Sequence, residues 1–179
     1  MDNTKKLISV NDGKTENFMA YDKLLIATGC RAREVKAPGA GLPNVFQIQD
    51  VDDAVKVKNW IEAMPGTTKK RVVVFGAGYV GMEAASSLKD KFKEDIEITI
   101  VNRGKVVMAN SNNGPEVGSA LVELHERNGT KFMTGRSLRA VNAQDGKAYS
   151  VTLDNGDIIN AQVIIMSQGV VPNTEFTNE

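Results

Sequence analysis

Three closely spaced glycines, Gly76, Gly78 and Gly81, constrain the fold of this chain more than any other feature of its sequence. They follow the apolar run VVVF in the stretch RVVVFGAGYVGMEAAS, and an alanine-rich run comes after them. A strand that leads through G-x-G-x-x-G into a helix is the phosphate-binding turn of a dinucleotide fold. The first glycine permits the tight turn, the second lets a pyrophosphate approach the backbone, and the third lets the helix pack on the strand. The alternative interpretation is a tight strand–helix turn that binds nothing.

The residues around these glycines predict how a nicotinamide dinucleotide would lie. The free N–H groups at the helix N-terminus would face its pyrophosphate, so Ala77 and Val80 join the predicted cofactor-binding residues of the loop. Tyr79 fills the variable position after the second glycine, where it either borders the cofactor or packs internally. Glu83 is either a hydrogen-bond acceptor for the nicotinamide end or a solvated charge that stabilises the start of the helix.

The end of the next predicted strand, IEITIV, is the expected place for an acidic residue that binds the adenosine ribose. The chain has Asn102 and Arg103 there instead. Asn102 would hydrogen-bond a ribose hydroxyl, whereas Arg103, with Lys105 nearby, would either meet a 2′-phosphate or be an ordinary surface charge. The choice between NAD(H) and NADP(H) therefore stays open, with a lean towards NADP(H).

The hydrophobic pattern alternates strands with helices over much of the chain, which indicates an α/β fold with a Rossmann-like parallel sheet. Asp/Asn-Gly turns between 135 and 160 predict an antiparallel three-stranded meander. In the helix predicted at 50–63, one mostly apolar face comprises Val51, Ala54, Val55, Lys58 and Ile61. The other predicted elements are a hairpin at 7–20, a buried strand at 21–29, strands at 71–75, 96–101 and 130–134, helices at 79–91 and 115–127, and a buried strand within 161–169.

Charge and cysteine content exclude several other classes of function. With 22 basic and 22 acidic residues, no basic surplus favours nucleic acid or an anionic membrane. No apolar run approaches the roughly 20 residues of a membrane span. The single cysteine, Cys30, leaves no Cys-x-x-Cys pair, and we assign it no catalytic role. His125 lies in a charged helix and is predicted to face solvent, and we predict no metal site and no catalytic residue.

Three motifs resemble those of one known family, the two-dinucleotide flavoprotein reductases, also called pyridine nucleotide–disulfide oxidoreductases. YDKLLIATG is similar to the second flavin-side motif, VVVFGAGYVGMEAA to the NAD(P)H motif, and AQVIIMSQGVVPNTEF to the motif at which the chain leaves the NAD(P)H domain. They occur in the family's order and cover nearly the whole chain. GPEVGSALVELHERNG and GVVPNTEF most resemble the apoptosis-inducing-factor-like and ferredoxin-reductase-like branch.

The resemblance implies a domain plan in which an NAD(P)H domain is inserted into an FAD domain. Residues 1–49 would be a partial FAD-domain segment that contributes a hairpin and a strand, and residues 50–68 a linking helix. Residues 69–171 would be the NAD(P)H-binding Rossmann-like domain, and 172–179 an exit segment. The resemblance also implies that Tyr79 gates the nicotinamide pocket and that Glu83 and Gly169 lie near the nicotinamide end.

For function, the resemblance implies a flavoprotein oxidoreductase that passes a hydride from NAD(P)H to FAD. No flavin glycine loop precedes Lys5, and no later Gly-Asp motif follows. We therefore expect this chain to be a fragment that binds NAD(H) or NADP(H) without FAD or turnover, FAD belonging to the intact protein only. The alternative is a non-catalytic dinucleotide-sensing or interaction module of the apoptosis-inducing-factor type. The electron acceptor is not predicted; a homodimer is possible, and the expected compartment is the cytoplasm, or an organelle if an N-terminal part is missing.

Overall fold

The computed structural model describes residue 2 and residues 4–66, 69–108 and 114–177. The chain forms two compact units, one made of Met1–Arg31 with Val170–Glu179 and the other of Ala32–Gly169. The strands are, in chain order, β1 (Leu7–Asn11), β2 (Glu16–Ala20), β3 (Cys30–Ala32), β4 (Val45–Phe46), β5 (Lys70–Phe75), β6 (Ile96–Asn102), β7 (Thr130–Thr134), β8 (Leu138–Gln144), β9 (Lys147–Leu153), β10 (Ile158–Asn160), β11 (Val163–Met166) and β12 (Val170–Pro172). The α-helices are α1 (Val51–Ala63), α2 (Tyr79–Phe92) and α3 (Gly114–Arg127).

The larger unit is built on a five-stranded parallel sheet with the order β4-β11-β5-β6-β7. Side chains alternate between its two faces, because successive residues of a strand point in opposite directions. Val72 and Val74 of β5 pack in the same core as α1 and α2, whereas Val73 and Phe75 pack against residues of the antiparallel sheet β10-β9-β8. The predicted α/β class, the parallel sheet and the meander are confirmed.

Helix α1 begins with a reciprocal cap. The carboxylate of Asp50 accepts a hydrogen bond from Asp53 N at 3.0 Å, and the carboxylate of Asp53 accepts one from Gln49 N at 3.1 Å. The buried residues of the helix are Val57 and Ile61. The predicted apolar face is confirmed at Ile61 but wrong at its start, since Val51 is 77% exposed and Ala54 and Val55 are exposed too. The buried side of the helix includes Val57 instead.

Asn44 joins three segments of the larger unit although it lies in a loop. Its side chain is buried, donates to Ala148 O at 2.8 Å and Gln162 O at 2.9 Å, and accepts from Ala148 N at 2.7 Å. Its backbone O accepts from Ile164 N at 3.0 Å. One amide therefore fixes the loop before β4 against the meander and the start of β11.

The smaller unit contains the predicted N-terminal hairpin, with β1 antiparallel to β2 and Leu7 opposite Ala20. The predicted buried strand at 21–29 is wrong: residues 22–29 are exposed and form no strand, and the short strand β3 begins only at Cys30. An apolar strand is stable when neighbouring strands pair with it on both sides. Among the described residues, β1 and β2 pair with each other and β3 pairs with β12. Residues 22–29 therefore have no neighbouring strand in the described structure with which to form hydrogen bonds.

One further sequence prediction is wrong. His125 is buried rather than solvent-facing, at 8% exposure, with its ring edge-to-face on Phe132 at 6.1 Å between centroids. His125 lies on the side of α3 that faces the sheet. The charged residues next to it in the sequence do not indicate this orientation. Within the described ranges, every helix is too short or too polar to cross a bilayer.

Candidate functional site

The glycine loop joins the end of β5 to the start of α2, as the spacing predicts. Gly76 has φ +107°, a conformation that residues with a side chain rarely adopt, and a Cβ there would lie 2.0 Å from Ser167 O. A Cβ on Gly81 would lie 2.0 Å from Gly76 O. The first and third glycines are therefore required by close backbone packing within the protein itself.

Gly78 differs from its two neighbours in the motif. It is the N-cap of α2 with φ −87°, which any residue adopts, and a Cβ there would meet no atom of the described residues within 4 Å. No side chain caps this helix end, and its first turn carries no acidic residue. The space beside Gly78 thus faces helix N–H groups and a positive dipole end, which fits an anionic pyrophosphate.

Asn102 lies at the end of β6 and braces the glycine loop. Its Oδ1 accepts from Ala77 N at 3.2 Å, and its Nδ2 donates to Gly104 O at 2.9 Å. Gly76 N also donates to the backbone O of Val101 at 2.8 Å. The side chain that the sequence assigns to the ribose is thus already hydrogen-bonded to both loops beside it.

The other predicted site residues lie in the loop, at the start of α2, after β11 and after β6. Tyr79, Val80 and Glu83 are exposed along the start of α2, while Ala77 is buried. Gly169 is exposed with φ +90°, and its backbone O accepts from Arg33 N at 3.0 Å. Arg103 is exposed directly after Asn102.

Ser167 is a residue of the site that the sequence reasoning misses. Its backbone O lies against Gly76, and its N donates to Phe75 O at 2.7 Å. The parallel pairing of β11 with β5 opposes Met166 to Phe75, so the next residue of each strand meets its counterpart. An apolar strand followed by Ala/Ser-x-Gly occurs twice in the sequence, as Ala27-Thr28-Gly29 and as Ser167-Gln168-Gly169. The second occurrence is the signal that points to this crossing, and Gly169 lies two residues beyond the contact.

A separate cleft of about 930 Å³ lies between the C-terminal ends of α2 and α3. It is far from the glycine loop, since it is lined by the start of β6 and β7 rather than by their ends. Two of its lysines form ion pairs, Lys69 with Glu94 and Lys131 with Glu97. Within the described part of the chain, no group of three or more His, Cys, Asp or Glu side chains is placed to hold a metal ion.

The comparison with known protein families identifies the chain. Residues 1–179 match the family described as pyridine nucleotide-disulphide oxidoreductase. The chain belongs to this family. Its members are FAD-dependent oxidoreductases of pyridine nucleotides.

Several members of this family are similar to this chain over most of its length. Rhodocoxin reductase of Rhodococcus erythropolis is 31% identical over 156 residues, which are 87% of this chain and 34% of that protein. Human apoptosis-inducing factor 3 is 31% identical over 98% of this chain and 27% of its own length. A solved ferredoxin reductase from Rhodopseudomonas palustris superposes with a TM-score of 0.83 at 27% identity, over 99% of this chain and 41% of that one. The chain thus spans about a third of the length of the family members it matches.

Proposed function

We propose that the chain is the NAD(P)H-binding portion of an FAD-dependent oxidoreductase, with the dinucleotide pyrophosphate against the loop 76–81. The contrast among the three glycines carries this proposal. A turn that binds nothing needs Gly76 and Gly81 for packing, but none of the described residues comes close enough to require a glycine at position 78. A pyrophosphate that approaches the backbone at this position would explain why the residue is a glycine.

The exposed residues of α2 and the crossing after β11 would orient the nicotinamide end. Tyr79 offers an aromatic face 55% exposed at the first position of the helix, and Glu83 lies one turn further on. Gly169 carries no side chain, and a Cβ there would meet nothing within 4 Å, so a ring could approach its backbone. In the intact protein, NAD(P)H supplies a hydride that passes to the flavin, and these residues hold the donor in place.

We further propose that this chain alone holds NAD(P)H but not FAD. Residues 1–49 would be a partial FAD-domain segment, 50–68 a linking helix, 69–171 the NAD(P)H-binding domain and 172–179 an exit segment. The exposed apolar side chains of Leu24, Leu25 and Ile26 support this plan, because Leu25 is 87% exposed and an FAD domain would cover it.

Titration of the purified chain with NADH and with NADPH tests the proposal, with FAD and an artificial electron acceptor then added to the loaded chain. We expect saturable binding below millimolar concentration, a colourless preparation and no oxidation of the nucleotide. The absence of saturable binding for both nucleotides would overturn the proposal. A yellow preparation or steady oxidation would instead overturn the part that concerns FAD.

A further inference from the structure

The ends of β6 and β7 are joined into one surface beside the glycine loop. Asn102 is paired with Thr134 in the parallel ladder. Beyond that pair, Arg136 N donates to Asn102 O at 3.1 Å, and Gly135 N donates to Gly104 O at 3.2 Å. Residues 102–105 and 134–136 therefore form a single edge, although about 30 residues separate them in the chain.

Three cationic side chains start from this edge. Arg103 follows Asn102 directly, and Lys105 runs beside Gly135, where an added Cβ would lie 3.4 Å from Lys105 Cγ. Arg136 is half-buried, and its Nη1 donates to Gly135 O at 2.9 Å, which holds the guanidinium group at the edge. Among the described residues, none of the three forms an ion pair.

The carboxylate of Asp154, in the turn after β9, acts on this cluster. The Ser137 N–H holds the pKa of Asp154 below its usual range, and the charge of Arg136 lowers that pKa further. Among these four described side chains, three are positively charged and one is negatively charged. The cluster keeps a net positive charge beside the place where the adenosine ribose of a dinucleotide would lie.

At the end of β6, Asn102 takes the place of the carboxylate that would repel an extra phosphate. In dinucleotide folds that select NAD(H), a carboxylate at this strand end binds the ribose hydroxyls, and it would repel a 2′-phosphate. Here the position carries a neutral amide whose Oδ1 and Nδ2 are both used by the neighbouring loops. The edge therefore presents cations and no carboxylate of its own.

We infer that Arg136, together with Arg103, determines specificity at this edge by binding the 2′-phosphate of NADP(H), so that the chain selects NADP(H) over NAD(H). This inference rests on the proposed function, because it assigns the adenosine end of the same site. A 2′-phosphate is close to doubly charged at neutral pH and offers oxygens that match the planar donors of arginine. Lys105 adds positive charge without a defined contact.

The test compares the dissociation constants of NADPH, NADH, 2′,5′-ADP and 5′-ADP for the native chain and four variants. Arg136→Gln and Arg103→Gln should each weaken NADPH and 2′,5′-ADP roughly tenfold while NADH and 5′-ADP change little. Asn102→Asp should weaken the binding of NADPH relative to that of NADH, because it introduces a carboxylate that repels the 2′-phosphate. The control, Lys69→Gln, removes a charge about 20 Å away at the other end of β5 and should change neither class of ligand.

The outcomes separate this inference from the proposed function. If the native chain binds NADH as tightly as NADPH, or if Arg136→Gln weakens both equally, the inference is overturned while dinucleotide binding stands. If none of the four ligands binds, the proposed function itself fails. Rising salt should weaken NADPH more steeply than NADH, since the extra contact is electrostatic.

Discussion

At the scale of single residues, the larger unit contains glycines held by the protein and glycines that face open space. Gly76 combines a positive φ with a backbone oxygen 2.0 Å from where a Cβ would be. Gly156, in the turn before β10, has a similar φ of +91° but nothing within 4 Å. The two positions therefore separate backbone strain from steric overlap.

Gly76→Ala should destabilise the protein by about 3 kcal/mol, because it adds steric overlap with Ser167 O to the strain of a positive φ. Gly156→Ala should cost only about 1 kcal/mol, since strain acts there alone. Chemical denaturation of both variants measures the difference. Equal losses would show that the loop relaxes around the added methyl group.

The glycine spacing identifies the loop from the sequence, because each glycine has a steric or ligand-binding reason that does not depend on distant residues. The brace from Asn102 to Ala77 could not be predicted in this way. It joins residues 25 positions apart, and it exists only because β6 lies beside β5 in the sheet. Arg136 was missed for the same reason, since the pairing of β6 with β7 brings it to Asn102.

At the scale of elements, Asn44 is the polar group on which the docking of the meander depends. Asn44→Ala would leave the buried Ala148 N and Ala148 O, and the part-buried Gln162 O, without their present partner. We expect a loss of about 2–4 kcal/mol in the free energy of unfolding. Asn155→Ala, in an exposed turn of the same unit, should cost less than about 1 kcal/mol, and a loss as large as that at Asn44 would contradict the assignment.

His125 links α3 to β7 and should make stability depend on pH. Burial lowers the pKa of His125 from its usual value, because desolvation disfavours the charged ring. The stability contributed by the neutral ring is fully present above the unfolded pKa of about 6.5, and it is lost as pH falls through the lower folded pKa.

His125→Phe should therefore flatten the fall in the free energy of unfolding between about pH 7.5 and pH 5. The phenyl ring keeps an aromatic contact with Phe132, so the comparison isolates the titrating group. Denaturant unfolding at several pH values gives both slopes. An unchanged slope in the variant would mean that His125 does not titrate across folding.

The regular elements of the larger unit follow from the sequence with small shifts in their bounds. Strand 130–134 is reproduced, and α2 extends one residue beyond the predicted 79–91. The two predictions that are wrong each have a physical cause. Residues 22–29 have the composition of a buried strand but no neighbouring ladder, and α1 buries Val57 because the sheet lies on that side.

At the scale of the whole molecule, the two units differ in how well they bury apolar side chains. The unit Ala32–Gly169 contains both apolar cores, whereas Phe18, Met19 and Leu25 in the smaller unit are 69%, 56% and 87% exposed. Exposed apolar side chains of this size usually mark a surface that another segment or chain covers. The proposed FAD-domain role of residues 1–49 accounts for them.

The assignment of the loop 76–81 as a dinucleotide site depends on Gly78. Gly78→Val should fold normally, because a φ of −87° and open space accept a β-branched residue. Gly41→Val is the matched control, since a Cβ on Gly41 also meets nothing within 4 Å and Gly41 has no positive φ. Calorimetric titration of both variants with NADPH and NADH is the most direct test. We expect Gly78→Val to lose at least about tenfold in affinity for both nucleotides, while Gly41→Val should bind like the native chain. Native affinity in a folded Gly78→Val would contradict the assignment.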